Sequence, residues 1–184
     1  MHSHQHHSAE APAAAASTPA DAVTAVVSGA GEDRLDVAAA LRGRRIFFIG
    51  ATGFVGKVAM SMLLRRYPDV GRVYTLVRPG SGLSAEQRFF QKIAGSKPFS
   101  PLRDAFGDAT EAFLRDRVVP LAGDVSMAMA GLSEAALAEI TAGGGLDIII
   151  NCAGLVSFNP SLESALRINV YGVRNVIELC RRFD

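Results

Sequence analysis

Three glycines, Gly50, Gly53 and Gly56, recur with Gly-x-x-Gly-x-x-Gly spacing between an apolar run and a helix-forming run. The run 46–49 has the character of a buried strand, and the run 58–66 carries an apolar stripe at helical spacing. A strand, a glycine turn and a helix form the setting in which free N–H groups meet a dinucleotide pyrophosphate. The spacing therefore predicts a dinucleotide site, with an ordinary strand-to-helix turn as the alternative.

Each glycine has its own predicted task in this turn. Gly50 lets the chain turn off the strand, Gly53 leaves room for the pyrophosphate, and Gly56 lets the helix pack close to the sheet. A P-loop is excluded, because it needs glycine where Ala51 stands and a hydroxyl residue where Val58 follows the lysine.

Two charged residues follow later strand-like runs. Arg78 ends the run 73–78, and no acidic residue occupies that strand end. An acid there bonds the ribose 2′-hydroxyl of NAD, whereas arginine pairs with the 2′-phosphate of NADP(H). Arg78 therefore favours NADP(H), unless it is a solvated surface residue. Asp124, beside Val125, either accepts a hydrogen bond from the adenine amino group or only forms the turn that ends the third strand.

Small and amide residues follow the fourth strand. The segment Asn151–Gly154 would let a nicotinamide ribose approach the backbone. Asn169 lies at helical spacing between Leu166 and Val173, so a buried amide in need of partners is expected there. A core asparagine that fixes the helix position and a site residue both fit this pattern.

The elements that would position these residues alternate between strand and helix patterns. This alternation predicts an α/β fold, a Rossmann-type doubly wound parallel sheet of order 3-2-1-4 with helices on both faces. Pro120 would place the third strand at an edge. Strands are expected at 46–49, 73–78, 118–122 and 147–151; helices are expected at 33–41, 53–67, 84–93 and 133–141, with a loop at 97–102 and weaker helical pieces to residue 115.

The last helix is expected to begin at Asn159 as its cap, with Pro160 in the first turn. Its apolar residues recur at helical spacing and predict the face that packs on the sheet. They are Leu162, Leu166, Val170, Val173, Val176, Ile177 and Cys180.

Composition limits the function classes. The 184 residues are 49% hydrophobic and 20% charged with net charge +1, which is typical of a globular domain without a nucleic-acid footprint. No apolar run is long enough to span a membrane. Cys152 and Cys180 suggest buried thiols in a reducing compartment, the cytoplasm. Residues 1–30, with four early histidines, are assigned to a flexible tail and not to a metal site, and residues 31–184 to the folded domain.

Together these blocks resemble the fatty acyl-CoA reductases, a group of extended short-chain dehydrogenase/reductases that includes the plant male-sterility proteins. The resemblance covers roughly residues 41–184, and the long segment between Arg78 and Gly123 is its most discriminating part. The blocks that carry it are 50–57, 73–79, 123–125, 151–158 and 166–172. It implies the N-terminal portion of an NADP-binding domain, and NADPH-dependent reduction of a long-chain acyl-CoA or acyl thioester to aldehyde or alcohol, in lipid metabolism.

The resemblance also implies residue roles. Arg78 would hold the 2′-phosphate, Asp124 and Val125 would flank the adenine, and Asn169 would support a proton relay. The nicotinamide side would be lined by Ala153 and Gly154. The pyrophosphate would be held by Gly50, Thr52, Gly53, Phe54, Val55 and Gly56.

One departure from the family concerns the reaction centre. The superfamily reduces carbonyls with a tyrosine and a lysine four residues later, whereas Tyr171, the last tyrosine, is followed at that distance by Asn175. We therefore expect a cofactor-binding fragment that is inactive alone and that has an uncovered edge on the fourth strand. The sequence does not specify an oligomeric state. A carrier-protein thioester reductase, a nucleotide-sugar epimerase and a non-catalytic NADP-binding module are the alternatives.

Overall fold

A computed structural model describes residues 35–80 and 82–183; the predicted tail with its histidines lies outside the described residues. Within them, four parallel strands form one sheet in the order β3-β2-β1-β4. The strands are β1 (Ile46–Ile49), β2 (Val73–Val77), β3 (Val118–Ala122) and β4 (Ile148–Asn151). The predicted Rossmann-type architecture and strand order are confirmed.

The burial of each strand follows from its place in this order. All residues of the central strands β1 and β2 are buried. In β3, Pro120 pairs in register with Thr75 on one side only, because β3 is an edge strand. A proline lacks the N–H that a central strand needs, so the edge position predicted from Pro120 is confirmed.

Helices cover both faces of the sheet, as predicted. Phe48 packs with Met60 and Leu64 on one face, and Phe47 packs with Leu179 on the other. Successive strand residues point to opposite faces, so one apolar run supplies both layers of the core. The helix α1 (Val37–Leu41) precedes β1, and α2 (Phe54–Arg66) forms the crossover from β1 to β2.

The crossover from β2 to β3 is long and almost entirely helical. The helix α3 (Ala85–Arg88) begins at a capping box between Ser84 and Gln87, so the predicted cap at Ser84 is confirmed. The expected loop at 97–102 is wrong. Pro98 and Pro101 stand in first helical turns, where the missing N–H breaks no bond. After α3 come a π-helical turn (Phe89–Ala94), a 3₁₀ turn (Lys97–Phe99), α4 (Ser100–Phe106), a second 3₁₀ turn (Gly107–Ala109) and α5 (Thr110–Arg117).

The remaining helices flank β4. Ser133 caps α6 (Glu134–Ala142) by accepting the Ala136 N–H, which confirms that cap. The expected cap at Asn159 is wrong, because Ser161 accepts the Ser164 N–H and the helix begins one residue later. A 3₁₀ turn (Ala128–Gly131) precedes α6, and β4 is followed by α7 (Leu162–Leu166), a π-helical turn (Arg167–Tyr171) and α8 (Gly172–Arg182).

The predicted buried face of the last helix is mostly wrong. In α8 the buried residues are Gly172, Asn175, Val176 and Leu179. This face lies one residue earlier than the predicted one, and the π-helical turn before α8 shifts the helix phase by about one residue. Of the predicted face only Val176 is buried; the exposed ones include Leu162, Leu166, Val170, Val173, Ile177 and Cys180.

The cysteines also differ from expectation, since Cys152 is half-buried and Cys180 is exposed; both are free thiols. Among residues 35–80 and 82–183, no helix has the length and apolarity that crossing a bilayer requires.

An ion pair fastens β1 to β4 at the end of the sheet where both strands begin. The Asp147 carboxylate accepts from the Arg45 backbone N–H at 2.8 Å, from its Nε at 2.8 Å and from its Nη2 at 3.0 Å. The Arg45 guanidinium also donates to the Gly144 carbonyl oxygen. The hydrogen bond from the Arg45 guanidinium, helped by that from its backbone N–H, holds the pKa of the Asp147 carboxyl well below its usual range.

Candidate functional site

A cleft of about 240 Å³ opens where the strands end at their carboxyl side, at the point where the chain order reverses between β1 and β4. Open α/β sheets bind ligands in this position. Eight of the predicted cofactor residues line it: Gly50, Thr52, Gly53, Arg78, Asp124, Val125, Ala153 and Gly154. Of the other lining residues, Cys152 lies within the predicted segment 151–154, whereas the sequence reasoning missed Ile49, Leu76, Leu155 and Ile168.

The glycine turn forms the floor of the cleft. Gly50 has φ +96°, and a Cβ there would lie 2.6 Å from the Cys152 carbonyl carbon. A Cβ at Gly56 would collide with the Gly50 carbonyl oxygen. At Gly53 the nearest atom to a Cβ is the same oxygen at 3.5 Å, an ordinary contact. Gly50 and Gly56 are therefore required by the turn itself, whereas Gly53 leaves open space facing the cleft.

The helix α2 starts at this turn with features of an anion site. Gly53 is its N-cap and gives no side-chain cap, and the first turn contains no acidic residue. The N–H groups of a first helical turn have no intrahelical partner, and the helix dipole favours negative charge there.

Three predicted pyrophosphate residues lie outside the cleft lining. The Phe54 and Val55 side chains are 76% and 67% exposed, and neither residue borders the cleft. Phe54 instead borders a groove with Pro98 and Pro101. Gly56 is the third residue of α2. Any contact of Phe54, Val55 or Gly56 with a ligand in the cleft would therefore use the backbone N–H groups of the first turn and not the side chains.

Arg78 and Asp124 follow the neighbouring strands β2 and β3 and form an ion pair at the cleft. The Arg78 Nη1 lies 3.7 Å from the Asp124 Oδ2, and the Arg78 side chain is 62% exposed. Such an exposed pair contributes little stability, so the guanidinium is free to exchange partners. Asp124 also accepts the Ser126 N–H at 2.9 Å, so it forms a turn and borders the cleft at once.

Arg88, which sequence reasoning missed, brings a second guanidinium to this corner. It lies at the end of α3 and donates to the Arg78 carbonyl oxygen. A Cβ at Gly80 would lie 3.4 Å from the Arg88 Nη1. The only signal in the sequence is that this arginine follows the Ser84 cap by four residues. No local pattern predicts that α3 packs back over the end of β2.

A strained turn supports the loop that holds Asp124. Met129 and Ala130 have φ of 50° and 55°, the left-handed region that side chains rarely adopt, and Gly131 continues it. The Asp124 N–H donates to the Ala130 carbonyl oxygen at 2.8 Å. Backbone strain of this kind persists only where the surroundings enforce it, and it often marks binding sites.

The opposite wall of the cleft is fixed by side-chain amides. The Asn169 Oδ1 accepts the Leu155 N–H at 2.7 Å, and its Nδ2 donates to the Leu155 carbonyl oxygen at 3.1 Å. Asn151 accepts the Ala153 N–H at 2.9 Å. The expectation that Asn169 is buried is wrong, since it is exposed. The buried amide is that of Asn175, 5% exposed, which donates to the Val125 carbonyl oxygen at 2.8 Å.

Comparison with known proteins gives relatives with a stated activity. Residues 49–184 match the family described as Male sterility protein. The chain is 34% identical over 140 residues to fatty acyl-CoA reductase 1 of Homo sapiens, and 33% identical over 143 residues to fatty acyl-CoA reductase 1 of Arabidopsis thaliana. The alignments cover 76% and 77% of this chain but 26% and 29% of those relatives, so the chain spans less than a third of their length.

Solved structures agree with this assignment. The terminal R domain from the myxalamid PKS-NRPS biosynthetic pathway aligns with TM-score 0.58 and 31% identity, over 77% of this chain and 32% of that one. The reductase (R) domain of a non-ribosomal peptide synthetase from Mycobacterium tuberculosis aligns with TM-score 0.51 and 26% identity, over 79% and 34%. The resemblance carried by the sequence blocks is thus confirmed, and the chain belongs to the NAD-binding Male sterility protein family.

Proposed function

We propose that this chain is the NADPH-binding part of a fatty acyl-CoA reductase that converts a long-chain acyl thioester to an aldehyde or alcohol. The identity to fatty acyl-CoA reductases supports the reaction class. The proposed choice of NADPH is carried by one observation: Arg78 directly follows β2 and lines the cleft, with Arg88 bonded to its carbonyl oxygen. Residues 31–184 are the N-terminal portion of the NADP-binding domain in this proposal.

The residues present fit a dinucleotide. Gly53 leaves open space at the start of α2, where unpaired N–H groups suit the pyrophosphate. Arg78 would exchange Asp124 for the 2′-phosphate, and Asp124 and Val125 would border the adenine. Ala153 and Gly154 would line the nicotinamide side, and the bound nicotinamide supplies the hydride.

The first experiment tests the cofactor choice. A charge-assisted hydrogen bond contributes about 1.5–3 kcal/mol, and we expect the lower part of this range because Arg78 is exposed. Arg78→Gln should therefore weaken NADPH binding roughly tenfold and leave NADH binding nearly unchanged. Titration of both dinucleotides by fluorescence measures this. Arg65→Gln, a matched change at the far end of α2, should change neither affinity.

The outcomes of this titration are separable. Equal wild-type affinity for NADPH and NADH would contradict the proposed preference but leave a dinucleotide site. A folded wild-type chain that binds neither dinucleotide would contradict the site itself.

In this function the chain itself supplies no proton donor for the reaction. Its tyrosines Tyr67, Tyr74 and Tyr171 are not followed four residues later by lysine. Asn169 would act only in support, by fixing the Leu155 backbone at the nicotinamide wall. We therefore expect no NADPH oxidation when the 184-residue chain is mixed with long-chain acyl-CoA.

A chimera tests the reductase proposal directly. The matched 143-residue segment of Arabidopsis fatty acyl-CoA reductase 1 is replaced by the corresponding segment of this chain. We expect NADPH-dependent reduction of long-chain acyl-CoA, reduced roughly tenfold by Arg78→Gln when NADPH is limiting and unchanged by Arg65→Gln. A folded chimera that binds NADPH but reduces no acyl-CoA would contradict the proposal and favour a non-catalytic nucleotide-binding module.

A second candidate is a reductase of carrier-protein thioesters, favoured by the 31% identity to an R domain. Placing the same segment of this chain in that R domain distinguishes the two candidate functions. We expect NADPH-dependent reduction only in the chimera whose remaining part comes from the correct class of reductase. Under either candidate the partner is an acyl thioester and not a nucleic acid. We propose a cytoplasmic location, which the two free cysteines support because free thiols suit a reducing compartment.

A further inference from the structure

The buried amide of Asn175 joins α8 to the loop after β3. Its Nδ2 donates to the Val125 carbonyl oxygen at 2.8 Å, across fifty residues of sequence, and the residue is only 5% exposed. A buried amide donor without a partner costs about 1–3 kcal/mol, so this contact fixes the position of Val125 relative to α8. Val125 and the preceding Asp124 both line the cleft.

The Asp124–Val125 segment is held from two sides. On the side of α8 it lies against Gly172, where a Cβ would make an ordinary van der Waals contact of 3.4 Å with the Val125 Cγ2. From the other side, the left-handed residue Ala130 accepts the Asp124 N–H. Asn175 adds the one side-chain hydrogen bond from α8 to this wall.

The opposite wall is held by the same helical segment. Asn169, six residues earlier in the π-helical turn, bonds both the N–H and the carbonyl of Leu155. Leu155 borders the cleft beside Gly154. One continuous stretch of helix therefore reaches both walls through two asparagine amides, one wall each.

We infer that Asn175 is a positioning residue for the adenine half of the bound dinucleotide, acting through Val125, while Asn169 positions the nicotinamide half through Leu155. The inference rests on the proposed function, because it assigns the two walls to the two halves of NADP(H). Loss of the Asn175 donor leaves Val125 free to shift, and contacts to the adenine weaken. The nicotinamide wall keeps its own amide and is unaffected.

The test uses two half-ligands against two matched variants of the 184-residue chain. The probes are adenosine 2′,5′-bisphosphate and reduced nicotinamide mononucleotide, titrated by NMR. Asn175→Leu should weaken the adenosine probe roughly 3- to 10-fold, as expected for one lost hydrogen bond, and leave the nicotinamide probe within about twofold. Asn169→Leu should instead weaken binding of the nicotinamide probe and leave binding of the adenosine probe within about twofold. A purely structural role for either residue would weaken both probes together.

Each outcome decides a separate claim. Equal weakening of both probes by Asn175→Leu, or no weakening of the adenosine probe, overturns the inference and leaves the proposed function standing. A folded wild-type chain that binds no adenosine 2′,5′-bisphosphate overturns the proposed function as well. If Asn175→Leu does not fold, Asn175→Ser replaces it, since the shorter side chain cannot span the gap to Val125 and water can fill the space.

Discussion

At the scale of single residues, the three glycines of the turn after β1 are required for different physical reasons. Gly50 combines a positive φ with close approach to Cys152, and Gly56 approaches the Gly50 carbonyl oxygen. Only Gly53 has ordinary backbone geometry and space for a Cβ. Two of the three positions therefore concern folding, and one concerns what enters the cleft.

Matched alanine substitutions should separate these reasons. Gly53→Ala should fold normally, but its methyl group should keep the pyrophosphate away from the backbone. NADPH binding should therefore weaken roughly tenfold or more, which corresponds to a loss of at least about 1.4 kcal/mol of binding free energy. Gly56→Ala should destabilise the chain. Placing a methyl group against the Gly50 carbonyl oxygen costs about 1–3 kcal/mol of overpacking. This cost exceeds the stability of roughly 0.5–1 kcal/mol that is gained when alanine replaces glycine inside a helix.

Urea denaturation and NADPH titration of both variants measure this contrast. A folded Gly53→Ala variant with wild-type affinity would mean that the turn is only structural. A Gly56→Ala variant more stable than wild type would show that the collision with the Gly50 oxygen relaxes at little cost.

The individual residues that sequence could place are those that follow strands. Arg78 and Asp124 were predicted at the cleft because the carboxyl ends of parallel strands converge, and that rule needs only strand positions. Arg88 lies on a short helix that packs back onto the end of the strand before it, and Asn175 lies on a helix that reaches the site from a distant part of the chain. Their roles depend on how those helices pack against the sheet, and this packing cannot be predicted from the spacing of neighbouring residues in the sequence.

At the scale of elements, the Arg45–Asp147 pair ties the first strand to the last one. Because the folded carboxyl pKa is lowered, the pair contributes stability above the unfolded carboxyl pKa of about 4 and loses it as pH falls further. Asp147→Asn should therefore be less stable than wild type at neutral pH. The difference in free energy of unfolding between wild type and Asp147→Asn should become smaller as the pH falls below roughly 4.

Urea unfolding of wild type and Asp147→Asn, at neutral pH and at roughly pH 3, checks the sign. Asp104→Asn, a matched change at an exposed aspartate of α4, should show neither effect. A constant difference between wild type and Asp147→Asn at both pH values would contradict the assignment of this stability to the ionised carboxylate.

Element boundaries were predictable where the periodicity is strong. All four strands and α2 lie within about one residue of their expected bounds, since buried runs and glycine or proline punctuation mark them. The loop predicted at 97–102 is helical instead, because Pro98 and Pro101 are typical both of loops and of helix starts. The two π-helical turns have no sequence signature, because they arise from packing and not from residue preference.

At the scale of the whole molecule, an unpaired strand edge and exposed apolar side chains occur together at the β4 end of the sheet. Within the described residues β4 pairs only with β1, so its other edge carries unpaired backbone groups. In α8, Ile177 borders a groove with Ile148 and Ile149 of β4, and both Ile177 and Val173 are exposed. An uncovered strand edge next to apolar side chains is a site of association between chains.

We expect the purified 184-residue chain to self-associate as concentration rises. Ile177→Glu should increase the monomer fraction by placing a charge on this surface. Met62→Glu, the same kind of change at an exposed apolar residue of α2, should not. Sedimentation velocity at several concentrations measures both. A wild-type chain that stays monomeric at every concentration tested would contradict the expectation.

The π-helical turn Arg167–Tyr171 makes the number of residues in this segment matter as much as their identity. Removing one residue there would restore the regular helical pitch and rotate everything after it by about 100°. Val176 would then take the place of Asn175, and Cys180 that of Leu179, against the sheet. No side chain of α8 would have been altered, yet the amide that holds Val125 would point elsewhere. We therefore expect a one-codon deletion in this turn to do more harm than most substitutions, because it changes the phase of the helix that supports the cleft.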